Sequence, residues 1–198
     1  VAVVVIGVAA IAGLWYVAPS GDSGKATIRS SGAAAIGGPF HLTDDTGQAV
    51  TDKTYAGKYM LVYFGYTFCS DICPTELQAM SRAVALLGHE ARSVRPLFIT
   101  VDPQRDTVQE MADYVAHFAP APTGLTGTPD EIAAVAKAYR VYYRKEANGP
   151  DADNYVMDHT SLIYLMGPDG AYIDNFPPGT KPAEMAERIK AIIGGAEG

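Results

Sequence analysis

Residues 59–80 read YMLVYFGYTFCSDICPTELQAM, an apolar run that breaks at Gly65 and gives way, after a loop, to a pattern of different period. Residues 59–64 are short, continuously apolar and rich in aromatics, as expected of a strand buried on both faces. Leu77, Met80, Val84 and Leu87 then recur at the spacing of one helix face. The loop between these two segments holds both of the chain's cysteines, Cys69 and Cys73. A strand feeding a helix through a loop that carries the reactive side chains is the building unit of an α/β sheet.

Working outward, residues 96–101, 161–166 and 171–176 are further short apolar runs of strand character. The last two flank Gly167-Pro-Asp-Gly170, which predicts a hairpin. Residues 40–51, with Asp44-Asp-Thr-Gly47 in their middle, read as another hairpin ahead of the first long strand. Three more amphipathic stripes follow the helical period: Met111, Tyr114, Val115 and Phe118; Ile132, Val135, Ala136 and Tyr139; Met185, Ile189, Ile192 and Ile193. Thr107 with Glu110, and Thr128 with Pro129 and Glu131, have the form of capping boxes at helix starts. The sum predicts an α/β fold: a mixed sheet flanked by helices, parallel where crossovers connect the strands and antiparallel at its end.

In front of this domain the composition changes. Sixteen of the first 18 residues are apolar, and no charge precedes Asp22. As a helix, residues 1–18 reach roughly 27 Å, close to the roughly 30 Å of a bilayer core. Trp15 and Tyr16 fall where amphipathic rings favour the lipid–water boundary. A transmembrane anchor is therefore expected there, with a cleaved signal peptide as the rival reading. Residues 19–36, rich in Pro, Gly, Ser and Ala, read as a flexible tether, and residues 37–195 as the folded domain. The net charge of −7 lacks the positive footprint that a phosphate backbone requires, so nucleic acid is excluded as an expected partner.

The cysteine loop carries the chemistry. Pro74 suits the first position of a helix, which would put Cys73 at the N-cap, facing unpaired amides and the positive end of the dipole; a thiolate is expected there. A purely structural staple is a weak reading, because a bridge enclosing three residues removes little chain entropy. Two soft sulfurs on one turn can oxidise to a disulfide or converge on one ion, favouring Cu(I) or zinc over hard cations. Among the four histidines, His41 lies in the predicted first hairpin, and His89 and His117 end helices. His159 follows Asp158 and stands just before the apolar run 161–166; on its own it reads as a satisfied rim residue before it reads as a ligand.

Taken together, FGYTFCSDICPTEL at 64–77, ITVDPQRDT at 99–107 and MDHTSLIYLMGPDG at 157–170 resemble the Sco/SenC family of membrane-anchored, thioredoxin-like copper proteins, in the same order over about residues 37–194. The resemblance implies a thioredoxin-like fold and a copper site made by Cys69, Cys73 and His159, for Cu(I) and also Cu(II). It further implies a role in assembling the dinuclear copper centre of cytochrome c oxidase subunit II, directly or through another copper-assembly factor. The domain would then lie on the periplasmic side of a single-pass inner (cytoplasmic) membrane protein, or at the mitochondrial equivalent. Asp71 and Asp158, next to the implied ligands, are candidates to orient or electrostatically tune the site. The segment 102–106 is read as a strand-ending turn leading into the Thr107 cap.

Two functions of different class follow from these residues. One is a copper carrier that uses all three side chains. The other is a thiol-disulfide oxidoreductase that cycles through a Cys69–Cys73 bridge and reduces the target's cysteines. Thioredoxin-like reductases usually carry a Thr-Pro or similar dipeptide opposite the cysteines, where this chain has His159-Thr160. A third reading, a peroxidase, rests on half a motif at residues 73–76.

Overall fold

In the computed structural model, residues 36–147 and 155–196 are described. The first long strand predicted from the sequence is β3 (Tyr59–Gly65), every residue of which is buried. It lies inside a seven-stranded sheet of order β2-β1-β5-β4-β3-β8-β9. The members are β1 (His41–Asp44), β2 (Ala49–Thr51), β3, β4 (Val94–Thr100), β5 (Thr123–Thr126), β8 (Ile163–Met166) and β9 (Tyr172–Phe176). β3, β4 and β5 run parallel, and the remaining pairings are antiparallel. The parallel pairs need crossovers, and α1 (Ile72–Leu86) and α2 (Val108–Val115) supply them. α3 (Pro129–Ala138) and α4 (Pro182–Ala196) complete the helices. The mixed, helix-flanked sheet is the one expected from the period of the apolar residues.

The helix starts follow their sequence signals. At α3 the Thr128 N–H donates to Glu131 Oε2 at 2.7 Å while the Glu131 N–H returns to Thr128 Oγ1 at 3.3 Å. At α2 only half of the expected capping box forms: the Thr107 hydroxyl accepts the Glu110 N–H, while the Thr107 N–H donates to the Arg105 carbonyl instead of the Glu110 carboxylate. The start of α1 differs from expectation: Asp71, not Cys73, is the N-cap, so Cys73 is the second helical residue and Pro74 the third. The extra residues cost nothing in hydrogen bonding, because a proline within the first turn lacks only an N–H that has no intrahelical partner.

Three strands have no clear sequence signal. β5 is Thr-Gly-Leu-Thr, too short for a period, and its Gly124 is packed under Met111 and Val115. β6 (Tyr143–Ala147) and β7 (Tyr155–His159) form a separate two-stranded antiparallel sheet outside the main one. β6 reads Tyr-Arg-Lys-Glu-Ala and is mostly exposed, so no apolar alternation marks it. Among the described residues no helix is long and apolar enough to cross a membrane. The predicted anchor at 1–18, and the tether up to residue 35, lie outside the described residues.

Candidate metal centre

The site is built where chain segments leave the sheet side by side. β3 and β4 end in register, Gly65 opposite Thr100, and the Val101 N–H donates to the Gly65 carbonyl at 2.8 Å. The cysteine loop and the segment 101–106 therefore emerge together at the carboxyl edge of parallel strands, where open α/β sheets place their sites. On the other flank of β3, β8 pairs antiparallel with Tyr63 opposite Ile163. The residues entering β8, His159 and Thr160, are thus delivered to the same edge.

His159 Nε2 lies 3.4 Å from Cys73 Sγ. Its other ring nitrogen, Nδ1, faces the Thr160 carbonyl at 3.1 Å. A carbonyl can only accept, so Nδ1 carries the proton and Nε2 presents its lone pair to the sulfur. Tyr63 and Tyr66 hold the imidazole edge-on, with ring centroids 6.3 and 5.9 Å away. Neither tyrosine is marked by sequence spacing, since both read as ordinary aromatic residues of a strand and its exit. Gly65 is also part of the site: a Cβ there would stand 2.9 Å from Cys73 Sγ and 3.0 Å from the Phe98 ring. The glycine makes room for the sulfur.

The two thiols are not equivalent. Cys73 is fully buried, whereas Cys69 is half-buried at the loop surface. The Cys73 N–H points at Cys69 Sγ over 3.5 Å, so the helix start faces Cys69. The hydrogen bond from Cys73, with lesser help from the Asp71 and Cys73 amides, holds the Cys69 thiol well below its ordinary range against the cost of burial. The adjacent Cys69 sulfur and burial push the Cys73 thiol up. The expectation of a thiolate at Cys73 is thereby corrected: the favoured thiolate is Cys69, because the N-cap lies two residues earlier and the amides aim across the turn.

Asp158 and Asp71 are placed differently from the expectation that they tune the site. In β7, Tyr155 and Met157 are buried, and Asp158 is exposed on the face opposite to His159. The Thr160 carbonyl, not the Asp158 carboxylate, fixes the imidazole tautomer. Asp71 is exposed, and its main chain rather than its carboxylate contributes: the carbonyl accepts from Thr75, and the amide favours the Cys69 thiolate.

The segment 102–106 is a turn leading into the Thr107 cap, as read, and something more. Asp106, fully buried, accepts from the Thr67 N–H at 3.1 Å and from the hydroxyls of Thr67 and Thr100, which pins the cysteine loop to β4. No three thiol, imidazole or carboxylate groups among the described residues form a ready-made ion cage. The Cys73 to His159 separation is nevertheless one that two ligands of one ion can have, given bonds of roughly 2.3 Å to sulfur and 2.0 Å to nitrogen.

Comparison with known proteins decides the lineage of this arrangement: a model of the SCO1/SenC family matches residues 28–194. The chain belongs to that family. The mouse protein "Protein SCO1 homolog, mitochondrial" is 47% identical over 165 residues, covering 82% of this chain and 58% of its own length. The chain spans about half the length of the curated relatives it matches, 58%, 54% and 43% for the mouse, human and Arabidopsis proteins. Two SCO1/SenC structures solved with copper bound share its thioredoxin-like α/β fold. Bradyrhizobium japonicum ScoI is 48% identical with a TM-score of 0.73, covering 79% of this chain and 99% of that one. Arabidopsis thaliana ScoI is 41% identical with a TM-score of 0.75, covering 80% and 98%.

Proposed function

We propose that this chain is a copper-binding assembly protein that holds copper between Cys69, Cys73 and His159 and delivers it to the dinuclear copper centre of cytochrome c oxidase subunit II. The observation that carries the reading is the 3.4 Å approach of His159 Nε2 to Cys73 Sγ, across 86 residues of sequence. A disulfide reductant has no need of that imidazole. Two related chains crystallised with copper support the choice of metal.

The donor set suits copper as cargo. Two sulfurs and one imidazole nitrogen are soft donors that fit Cu(I), and thiolate with imidazole also holds Cu(II). Cys69 offers a ready thiolate at the loop surface. Cys73 gives up its proton on binding, and its buried position keeps the sulfur fixed. The Nδ1–H to Thr160 hydrogen bond keeps Nε2 directed inward. Residues 1–18 anchor the protein in the inner membrane and residues 19–36 tether the domain, residues 37–195, on the periplasmic side, within reach of the oxidase.

A second activity is favoured by the unequal thiols. The accessible Cys69 thiolate can attack a target disulfide to form a mixed disulfide. Cys73 then loses its proton and attacks Cys69, leaving the Cys69–Cys73 bridge and two reduced thiols on the target. The two electrons come from this chain's dithiol.

Copper titration of the reduced protein, paired with oxidase copper content in cells carrying each variant, tests the assignment. His159→Ala is expected to weaken copper retention and abolish oxidase maturation while the Cys69–Cys73 disulfide still forms. Serine at either cysteine is expected to abolish both behaviours. Normal oxidase assembly with His159→Ala transfers the function to the oxidoreductase reading.

A further inference from the structure

The hairpin that carries His159 forms a sheet of its own, and the nearest ladder to the strand that leads into the cysteine loop, β3 with β8, begins only at Ile163, four residues beyond His159. Tyr66 meets the imidazole edge-on from the start of the loop, and Arg105 links hairpin and loop further out. Arg105 Nη1 donates to the Tyr155 carbonyl at 3.0 Å, and its guanidinium carbon lies over the Tyr155 ring at 3.6 Å. The same guanidinium lies over the Phe68 ring at 4.7 Å. Phe68 directly precedes Cys69, and Tyr155 lies four residues ahead of His159 on β7.

The guanidinium is itself held. Arg105 Nε donates to the buried Asp102 carboxylate, which also accepts the Tyr155 hydroxyl at 2.9 and 3.0 Å. Lys145 of β6 lies over the Tyr155 ring at 3.6 Å and donates to Gln104 Oε1 at 3.0 Å, tying the hairpin's other strand to the same turn. None of this is needed to close the turn, because the Arg105 and Asp106 amides already donate to the Asp102 carbonyl at 3.1 and 3.0 Å. Phe68 remains 66% exposed, so burial alone does not hold it against the arginine.

We propose that Arg105 is a positioning residue for the copper site: it grips the cysteine loop through Phe68 and the His159 hairpin through Tyr155, and so sets the reach of the imidazole to the sulfurs. The planar guanidinium suits this task, since it stacks on aromatic rings while its edge donates in fixed directions. Copper retention should depend on Arg105 only so long as His159 is a ligand. The proposal rests on the three-residue copper reading.

A double-mutant cycle on the full chain in detergent micelles tests it. Cu(I) affinity is measured by chelator competition, and the Cu(II)–thiolate charge-transfer band by absorption, for Arg105→Gln in the natural and the His159→Ala backgrounds. Arg105→Gln is expected to weaken Cu(I) binding about tenfold and shift the band with His159 present, and to change affinity less than twofold without it. Equal losses in both backgrounds, or none in the natural one, overturn the proposal. Full affinity in His159→Ala alone would instead defeat the copper-ligand reading on which it stands. Should Arg105→Gln fail to fold, Tyr155→Phe, which removes only the two hydroxyl contacts to Asp102, takes its place; a smaller loss confined to the His159 background is expected, and a loss independent of His159 overturns it.

Discussion

At the scale of single residues, the site depends as much on what is missing as on what is present. Gly65 leaves the space that Cys73 Sγ fills, and Gly65→Ala would drive a methyl group to within 2.9 Å of it. Neither the sulfur on its helix nor the Phe98 ring can retreat through a packed core. The expected outcome is a loss of about 1–3 kcal/mol in denaturant unfolding, with weakened copper retention because the displaced sulfur no longer meets the imidazole. Unchanged copper binding in a folded Gly65→Ala protein would show that Cys73 is not held by this contact. The inequality of the thiols predicts an order of reaction. Brief alkylation of the reduced, metal-free chain near neutral pH should label Cys69 well ahead of Cys73, as read by peptide mass spectrometry, since Cys69 is both accessible and favoured as thiolate. Equal labelling rates would overturn that assignment.

At the scale of elements, buried carboxylates lock segments to one another. Asp106 joins the start of α2 to the cysteine loop and β4, so Asp106→Ala strands the Thr67 N–H and removes the acceptor of two hydroxyls. A destabilisation of about 2–3 kcal/mol is expected, with Asp106→Asn losing less because it keeps one acceptor oxygen. Glu76 on α1 does the same for the stretch before α4: it is 1% exposed, and its Oε1 accepts the Gly179 N–H at 2.8 Å. Burial holds this carboxyl above its ordinary range, against the opposing pull of Gly179. Between the unfolded pKa, about 4.3, and the raised folded value, the folded chain binds more protons than the unfolded one. The Glu76 contribution to stability is therefore greatest at low pH and declines as pH rises through that window. Glu76→Gln keeps the acceptor for Gly179 and cannot ionise, so the fall in stability with rising pH should be shallower in urea unfolding curves collected from about pH 4 to 7. Parallel curves for the two proteins would rule out Glu76 as the source.

At the scale of the whole molecule, Cys69, Cys73 and His159 all lie within the compact unit Ala35–Gly198, so copper binding should not require residues 1–34. The full chain is expected to sediment with membranes, while a chain of residues 37–195 stays in the supernatant and binds copper in the same ratio. Recovery of the uncleaved chain of residues 1–198 in solution would defeat the proposed anchor. Much of this organisation is legible in the residues themselves. The continuous apolar runs and the helical stripes placed the central strands and helices, because burial imposes a period that a sequence can show. The three motifs identified the family for the same local reason: each is a short contiguous stretch. What no local reading reached is the set of relations between stretches. The exposed, charged β6 has no period to detect and is a strand only because β7 lies beside it. The thiolate belongs to Cys69, not Cys73, because the helix starts two residues earlier than Pro74 suggested and turns its amides across the loop. Asp158 adjoins His159 in sequence yet faces the other way, since neighbours in a strand alternate sides. Arg105, which looks like turn punctuation, reaches Phe68 and Tyr155 only after parallel pairing has set β3 and β4 in register and brought their exits to one edge. Local chemistry is written in consecutive residues, but which side chains come within hydrogen-bonding distance is decided when the chain closes on itself.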